Sequence, residues 1–323
     1  MNPLQLSRSA GRRLSFALVF LAVFLPLSMA RSHAQAQPKV KVVTTLFPLQ
    51  DFARMVGGER VQADLILPPG SEPHAWEPKA SDLARIYKAD VFILIGRAME
   101  PWADDLLKGT RGRKLKVVEA LKGLELLEAG NPSPEPSRDR RPLTGEKIDP
   151  HVWLDFSQDR KILDAIAAAF VEIDPAHAAE YRAKVSGYKE KLEALDRKYQ
   201  SSLARCRHRQ MVLGGHSAFA YLAKRYGLQQ IPLYGISPNA EPTPRKLADV
   251  ITSARNQGMK YIFFEELVNP KLAQVLARES GIQTLVLNDG ANLTRDQLDQ
   301  RVTFLNLMEK NLETLRKGLE CEP

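Results

Sequence analysis

PAHAAEYRAKVSGYKEKLEALDRKYQSSLAR, residues 175–205, decides the architecture. It holds no proline after its first residue and no glycine except Gly187. Tyr181, Val185, Tyr188, Leu192, Leu195 and Tyr199 recur at steps of three and four, the spacing of one helix face. At 1.5 Å per residue the stretch predicts a helix of roughly 45 Å, the span of a whole lobe. A rod of that length has a natural use in joining two lobes. A long surface helix is the competing reading.

Both flanks repeat one pattern. Before the rod, KVKVVTTLF (39–47), VQADLIL (61–67), ADVFILIG (89–96) and LKVVEAL (115–121) predict strands, and helical spacings lie between them. ADVFILIG is a continuous apolar run, as expected of a parallel strand buried on both faces. After the rod, MVLGG, LQQIPLYG, KYIFFEEL and TLVLND predict strands. They alternate with the helical stretches HSAFAYLAKRYG, PTPRKLADVITSARNQG, NPKLAQVLARESG and one final helix over 294–319. Such alternation predicts parallel α/β sheets. The expected fold is α/β, with two parallel-sheet lobes joined by one long rigid helix. The expected organisation is a signal peptide at 1–36, an N-terminal lobe at 37–174, the linking helix at 175–205 and a C-terminal lobe at 206–323. Residues 129–148 are rich in proline and charge and predict a surface excursion.

The signal peptide follows from Arg8, Arg12 and Arg13 ahead of the apolar run LSFALVFLAVFLPLSM, with Ala34-Gln35-Ala36 as a small-x-small cleavage signal. The run is short for a membrane span and is broken by Pro26; an uncleaved anchor is the alternative. A cleaved chain is expected in the periplasm. The net charge of +8 falls to +4 once the leader's four arginines are gone. That mild balance, without basic runs interleaved with aromatics, gives no reason to expect a nucleic-acid partner. Cys206 and Cys321 are the two cysteines. In an exported protein an even pair predicts a disulfide, with two buried thiols as the alternative.

Six histidines are present. His33 belongs to the leader, and His177 and His208 are expected on the surface. His74, His151 and His216 each stand at a break next to a predicted strand or helix. His74 lies in LPPGSEPHAWEP, residues 67–78, where Pro68, Pro69, Pro73 and Pro78 stiffen the loop that presents it. Ligands of open parallel sheets bind beyond the carboxyl ends of strands. Imidazoles converging there form a metal-ligand set. Unperturbed imidazoles titrate near about 6.5, so three of them would hold metal above that pH and lose it steeply below, with His216 expected to protonate last because a helix N-terminus disfavours positive charge.

LPPGSEPHAWEPKASDL, DPHVWLD, GGHSAFAYLAKRYGL, GISPNAEPTP and IFFEELVNPKLAQVLARESG resemble, in order, the zinc/manganese family of periplasmic solute-binding proteins of ATP-driven metal importers. The resemblance runs from about residue 39 to 319. It implies metal in the cleft between the lobes, held by His74, His151 and His216. It also implies a membrane permease as partner, a monomer, and carriage of the metal rather than an enzymatic activity. The family's fourth ligand, an aspartate, falls where this chain has Asn288, with Asp289 one residue later. Asp289 is taken as the fourth ligand, with Asn288 or water as alternatives. By resemblance Glu265 lies near the cleft; it is expected to support the site from behind, as are Glu77 and Glu241, each followed by proline. Three imidazoles and at most one carboxylate suit Zn²⁺ better than Mn²⁺, which prefers oxygen ligands. Two rivals are an exported zinc hydrolase, with Glu72, Glu77 or Glu265 as general base, and a binder of an organic solute seated on Trp76 or Trp153.

Overall fold

The computed structural model describes residues 39–322 except 111, 113, 131–146, 234, 236–242, 267–274 and 276. The expected signal peptide therefore lies outside the described residues, as do Glu241 and most of the helix expected over NPKLAQVLARESG.

Among the described residues there are two four-stranded sheets, each wholly parallel. The first orders its strands β2-β1-β3-β4, with β1 Val40–Thr44, β2 Val61–Leu65, β3 Val91–Leu94 and β4 Lys116–Glu119. The second orders them β6-β5-β7-β8, with β5 Gln210–Leu213, β6 Gln229–Pro232, β7 Tyr261–Glu265 and β8 Gln283–Leu287. The helices are α1 Phe47–Gly57, α2 Ala80–Tyr87, α3 Ala103–Gly109, α4 Phe156–Ile173, α5 Ala178–Leu203, α6 Ala220–Arg225, α7 Pro244–Asn256, α8 Arg295–Asp299 and α9 Phe304–Gly318. All four residues of β3 are buried, which is why this strand is uniformly apolar.

The long helix forms as its spacing predicts. Tyr181, Val185, Tyr188, Leu192, Leu195, Tyr199 and Leu203 of α5 are all buried, and α5 packs against α1, α4 and α9. Full burial of one such side chain is worth about 1.5–3 kcal/mol. The tyrosine hydroxyls also find partners. Tyr181 donates to Asp174 (2.8 Å), Tyr188 to Asp51 (3.1 Å) and Tyr199 to the Met308 carbonyl (2.5 Å). Because α9 returns from the second sheet to pack on α5 and α1, one hydrophobic core runs through both halves.

Four expectations need correction. The final helix is two helices, α8 and α9. Arg301 takes a φ of 55°, outside the helical region, and Thr303 starts α9 afresh by capping Asn306 N. The helix expected from His216 begins only at Ala220. His208 is buried, because its backbone pairs with Leu319 beside the Cys206–Cys321 disulfide, which joins the end of α5 to the tail after α9. His177 is partly buried against Asp174, with Nδ1 2.8 Å from the carboxylate. The excursion at 129–148 has its ends pinched together by an antiparallel bridge between Glu128 and Ile148.

Candidate metal centre

In the second sheet, strand order reverses between β5 and β7, and loops leaving neighbouring strands there diverge into a crevice. His216 lies just beyond β5, Glu265 closes β7 and Asp289 follows β8. Gly214 and Gly215 make room at this point. A Cβ on Gly215 would stand 1.9 Å from Glu265 Oε1, and one on Gly214 would stand 2.1 Å from the Phe264 ring. Close approach, and not a left-handed turn, explains this glycine pair. It lets the Glu265 carboxylate receive the His216 backbone N–H (2.6 Å) and contact His216 Nδ1.

The first sheet supplies the other imidazoles. Pro73–Ala75 form one 3-10 turn whose cap is Glu72. Its carboxylate accepts from His74 N (3.1 Å) and Ala75 N (2.9 Å). Trp76 packs edge-on against Trp102, centroids 6.0 Å apart, and so braces the loop. His151 is buried. Its backbone N and its Nδ1 both meet Asp149 Oδ1, at 3.0 and 2.7 Å. The Asp-Pro-His spacing allows this double contact. Asp149 is the site residue that sequence reasoning missed, although it sits inside the DPHVWLD motif.

The three rings meet. His74 Nε2 and His216 Nε2 each lie 3.2 Å from His151 Nε2. With Nδ1 of His151 and of His216 turned to carboxylates, their Nε2 atoms face each other in the crevice. His216, Glu265 and Asp289 form a second overlapping cluster. Asn288 is turned elsewhere. Its side chain contacts Glu266 and accepts from Gly290 N (2.7 Å), while its backbone pairs with Asn311. Glu77 is exposed and makes no hydrogen bond to these residues among those described, so its expected supporting role is not seen.

The rings do not share one titration. Burial pushes the His74 pKa down to about 2, helped by the other two imidazoles. Burial, then the charge of His216, holds His151 well below the ordinary range. Burial opposes charge on His216 too, but Glu265, with Asp289 and Glu72 behind it, outweighs that and pushes it up to about 9. Burial and then repulsion from Glu265 raise Asp289 to about 6, and burial raises Asp149 to about 7. Burial thus disfavours charge on His74 and His151, while the carboxylates around His216 favour it there. This overturns the expectation of rings titrating near about 6.5 with His216 the last to protonate, because Glu265 lies against its ring.

Comparison with known proteins places these features in a family. The family model described as "Zinc-uptake complex component A periplasmic" matches residues 42–318. The chain is 34% identical over 281 residues to the high-affinity zinc uptake system protein ZnuA of Bacillus subtilis, covering 87% of this chain and 88% of that protein. It is 32% identical over 311 residues to the zinc-binding lipoprotein AdcA of Streptococcus pneumoniae, but spans only 62% of that longer protein. Among solved structures it resembles the Zn(II)-bound ZnuA-like domain of Streptococcus pneumoniae AdcA. The TM-score is 0.74 at 32% identity, with 87% of this chain and 99% of that one covered.

Proposed function

The chain belongs to the zinc-uptake complex component A family, and from that premise we propose that it captures zinc through His74, His151, His216 and Asp289 and delivers it to an ATP-driven importer in the membrane. The family's described location is the periplasm. We take residues 1–36 to be a cleaved export signal, 37–174 and 206–323 to be the lobes that enclose the metal, and 175–205 to be the helix that joins them. The working form is taken to be a monomer.

The observation that carries this reading is the spacing of the Nε2 atoms. Zn–N bonds of about 2.0–2.1 Å at tetrahedral angles require nitrogens about 3.3 Å apart. His151 Nε2 lies 3.2 Å from both of its neighbours. Little movement of the rings is then needed on binding. Asp149 and Glu265 fix the tautomers, so that Nε2 of His151 and His216 is the coordinating atom. Asp289 completes a set of three nitrogens and one oxygen, which favours Zn²⁺ over Mn²⁺. The metal is cargo here. A hydrolase would need a carboxylate free to take a proton from bound water. Glu265 is committed to His216, Glu72 to its turn, and Glu77 is exposed and bonded to none of the site residues described, which supports carriage over catalysis.

Titration of metal-free protein should give one zinc per chain, displaced poorly by manganese. Alanine at His74, His151 or His216 should weaken zinc by more than about a hundredfold, beyond what outer partners usually cost. Circular dichroism should stay that of the wild type. Three variants with normal affinity would sink the assignment.

A further inference from the structure

The loop that follows β8 is bonded to the loop that carries His74, although the two come from opposite halves of the sequence. Asn292 lies at the junction and is 1% exposed. Its Nδ2 donates to the carbonyls of Pro68 and Ser71, both at 2.8 Å. Its Oδ1 accepts from Leu293 N at 2.8 Å. Gly70 N donates to the Leu293 carbonyl beside it, also at 2.8 Å. Two donated bonds and one accepted bond from one short side chain require a primary amide. Serine has one donor. Aspartate would turn a carboxylate toward two carbonyl oxygens.

The position matters because of what flanks it. Asp289 stands three residues before Asn292, and His74 three residues after Ser71. Two further bonds hold the same stretch to the first half of the chain. Phe47 N donates to the Ala291 carbonyl (3.0 Å), and Trp153 Nε1 donates to the Asp289 carbonyl (2.6 Å). His216 is tied differently, to β7, through Glu265 and through Gly214 N on the Phe263 carbonyl (2.7 Å). Asp289 is thus held from two sides: to the His74 loop by these bonds, and to the strand of Glu265 through β8, which pairs with β7 as far as Leu287 opposite Glu265.

We propose that Asn292 is a positioning residue that locks the Asp289 loop to the His74 loop, so that these two donors reach the metal as one preformed unit. The proposal rests on the zinc-site reading given above. Asn292 touches no metal. It acts by keeping His74 and Asp289 at a fixed separation.

The test measures zinc affinity and dissociation rate for Asn292→Ala, Asn292→Asp and Asn292→Ser, each alone and combined with Asp289→Ala. Asn292→Ala and Asn292→Asp should weaken zinc about tenfold, the lower end for lost outer partners, mainly by faster dissociation. Asn292→Ser, which keeps one donor, should fall between them and the wild type. Most of the loss should vanish once Asp289 is alanine, because the coupled partner is then gone. A purely structural role would give the same loss in both backgrounds. Unchanged affinity in Asn292→Ala and Asn292→Asp, or an undiminished loss beside Asp289→Ala, overturns the proposal. If Asn292→Ala does not fold, the Asn292→Ser pair carries the same comparison. His74→Ala separates the two levels. Normal zinc binding in that variant overturns the site and the coupling together. Lost binding there with intact binding in the Asn292 variants overturns the coupling alone.

Discussion

Asn288 and Asp289 are neighbours with opposite duties. Asn288 spends its side chain on Gly290 and Glu266 and its backbone on Asn311, all within the second half of the chain. Asp289 shares a cluster with His216 and Glu265, and its raised pKa reflects burial and the carboxylate beside it. Asp289, and not Asn288, is therefore the residue whose side chain lies with His216 and Glu265. We expect Asp289→Ala to weaken zinc about tenfold or more, with little loss of stability. Asn288→Ala should instead cost about 1–3 kcal/mol of stability through unpaired buried groups, and change affinity less. Zinc titration together with thermal melts of both variants checks this; the opposite pairing of effects would show that the wrong residue was chosen.

At the scale of elements, the turn after β3 is organised around one buried carboxyl. Glu100 accepts from Thr45 Oγ1 (2.5 Å), Ile95 N (3.2 Å) and Gly96 N (2.8 Å), and so ties the end of β1 to the end of β3. Burial outweighs those bonds and raises its pKa to about 7 from 4.5. The native state thus binds this proton more tightly than the unfolded chain does. The contribution is fully present below about pH 4.5 and is lost as pH rises toward 7. At 1.36 kcal/mol per pKa unit that amounts to about 3 kcal/mol. Glu100→Gln carries no such proton. It loses an acceptor opposite Gly96 N and should be less stable at pH 5, but the gap to the wild type should narrow steadily up to pH 8. Denaturant unfolding at several pH values measures the gap, and a constant gap would refute the account.

For the whole molecule, the disulfide and the crevice stand at opposite ends of the second sheet. Cys206 precedes β5 and His216 follows it. The bond joins residues 115 apart in sequence. A loop of that length is worth about 4–5 kcal/mol in chain-entropy models, often less when measured. Reduction, or Cys206→Ser with Cys321→Ser, should therefore lower unfolding stability by up to that amount while leaving zinc stoichiometry at one. Loss of zinc binding in a folded, reduced protein would show that the bond also shapes the crevice. The disulfide also accounts for the burial of His208, a residue whose basic neighbours in RCRHRQ point to the surface. Its local sequence carries no sign of the chain end that covers it.

Sequence alone determined what depends on period and on local chemistry. The spacing of three and four from Tyr181 to Tyr199 specifies a helix face, and uniformly apolar runs specify buried parallel strands. The alternation on both sides of the rod specifies two α/β lobes. The strand-end breaks marked His74, His151 and His216 because chain ends of strands are where parallel sheets expose groups to a crevice. Asp149 was legible in principle, since two residues suffice to turn a carboxylate back onto an imidazole. Other features were decided only by the tertiary structure. The clustering of Asp289 with His216 and Glu265, the glycine pair that admits Glu265, the split of α8 from α9, the pKa shifts that set His216 apart from His74 and His151, and the Asn292 bridge across 221 residues all arise between segments remote in sequence. Burial and close approach create these effects. Neither is a property of a residue type; both depend on which distant atoms the fold brings alongside it.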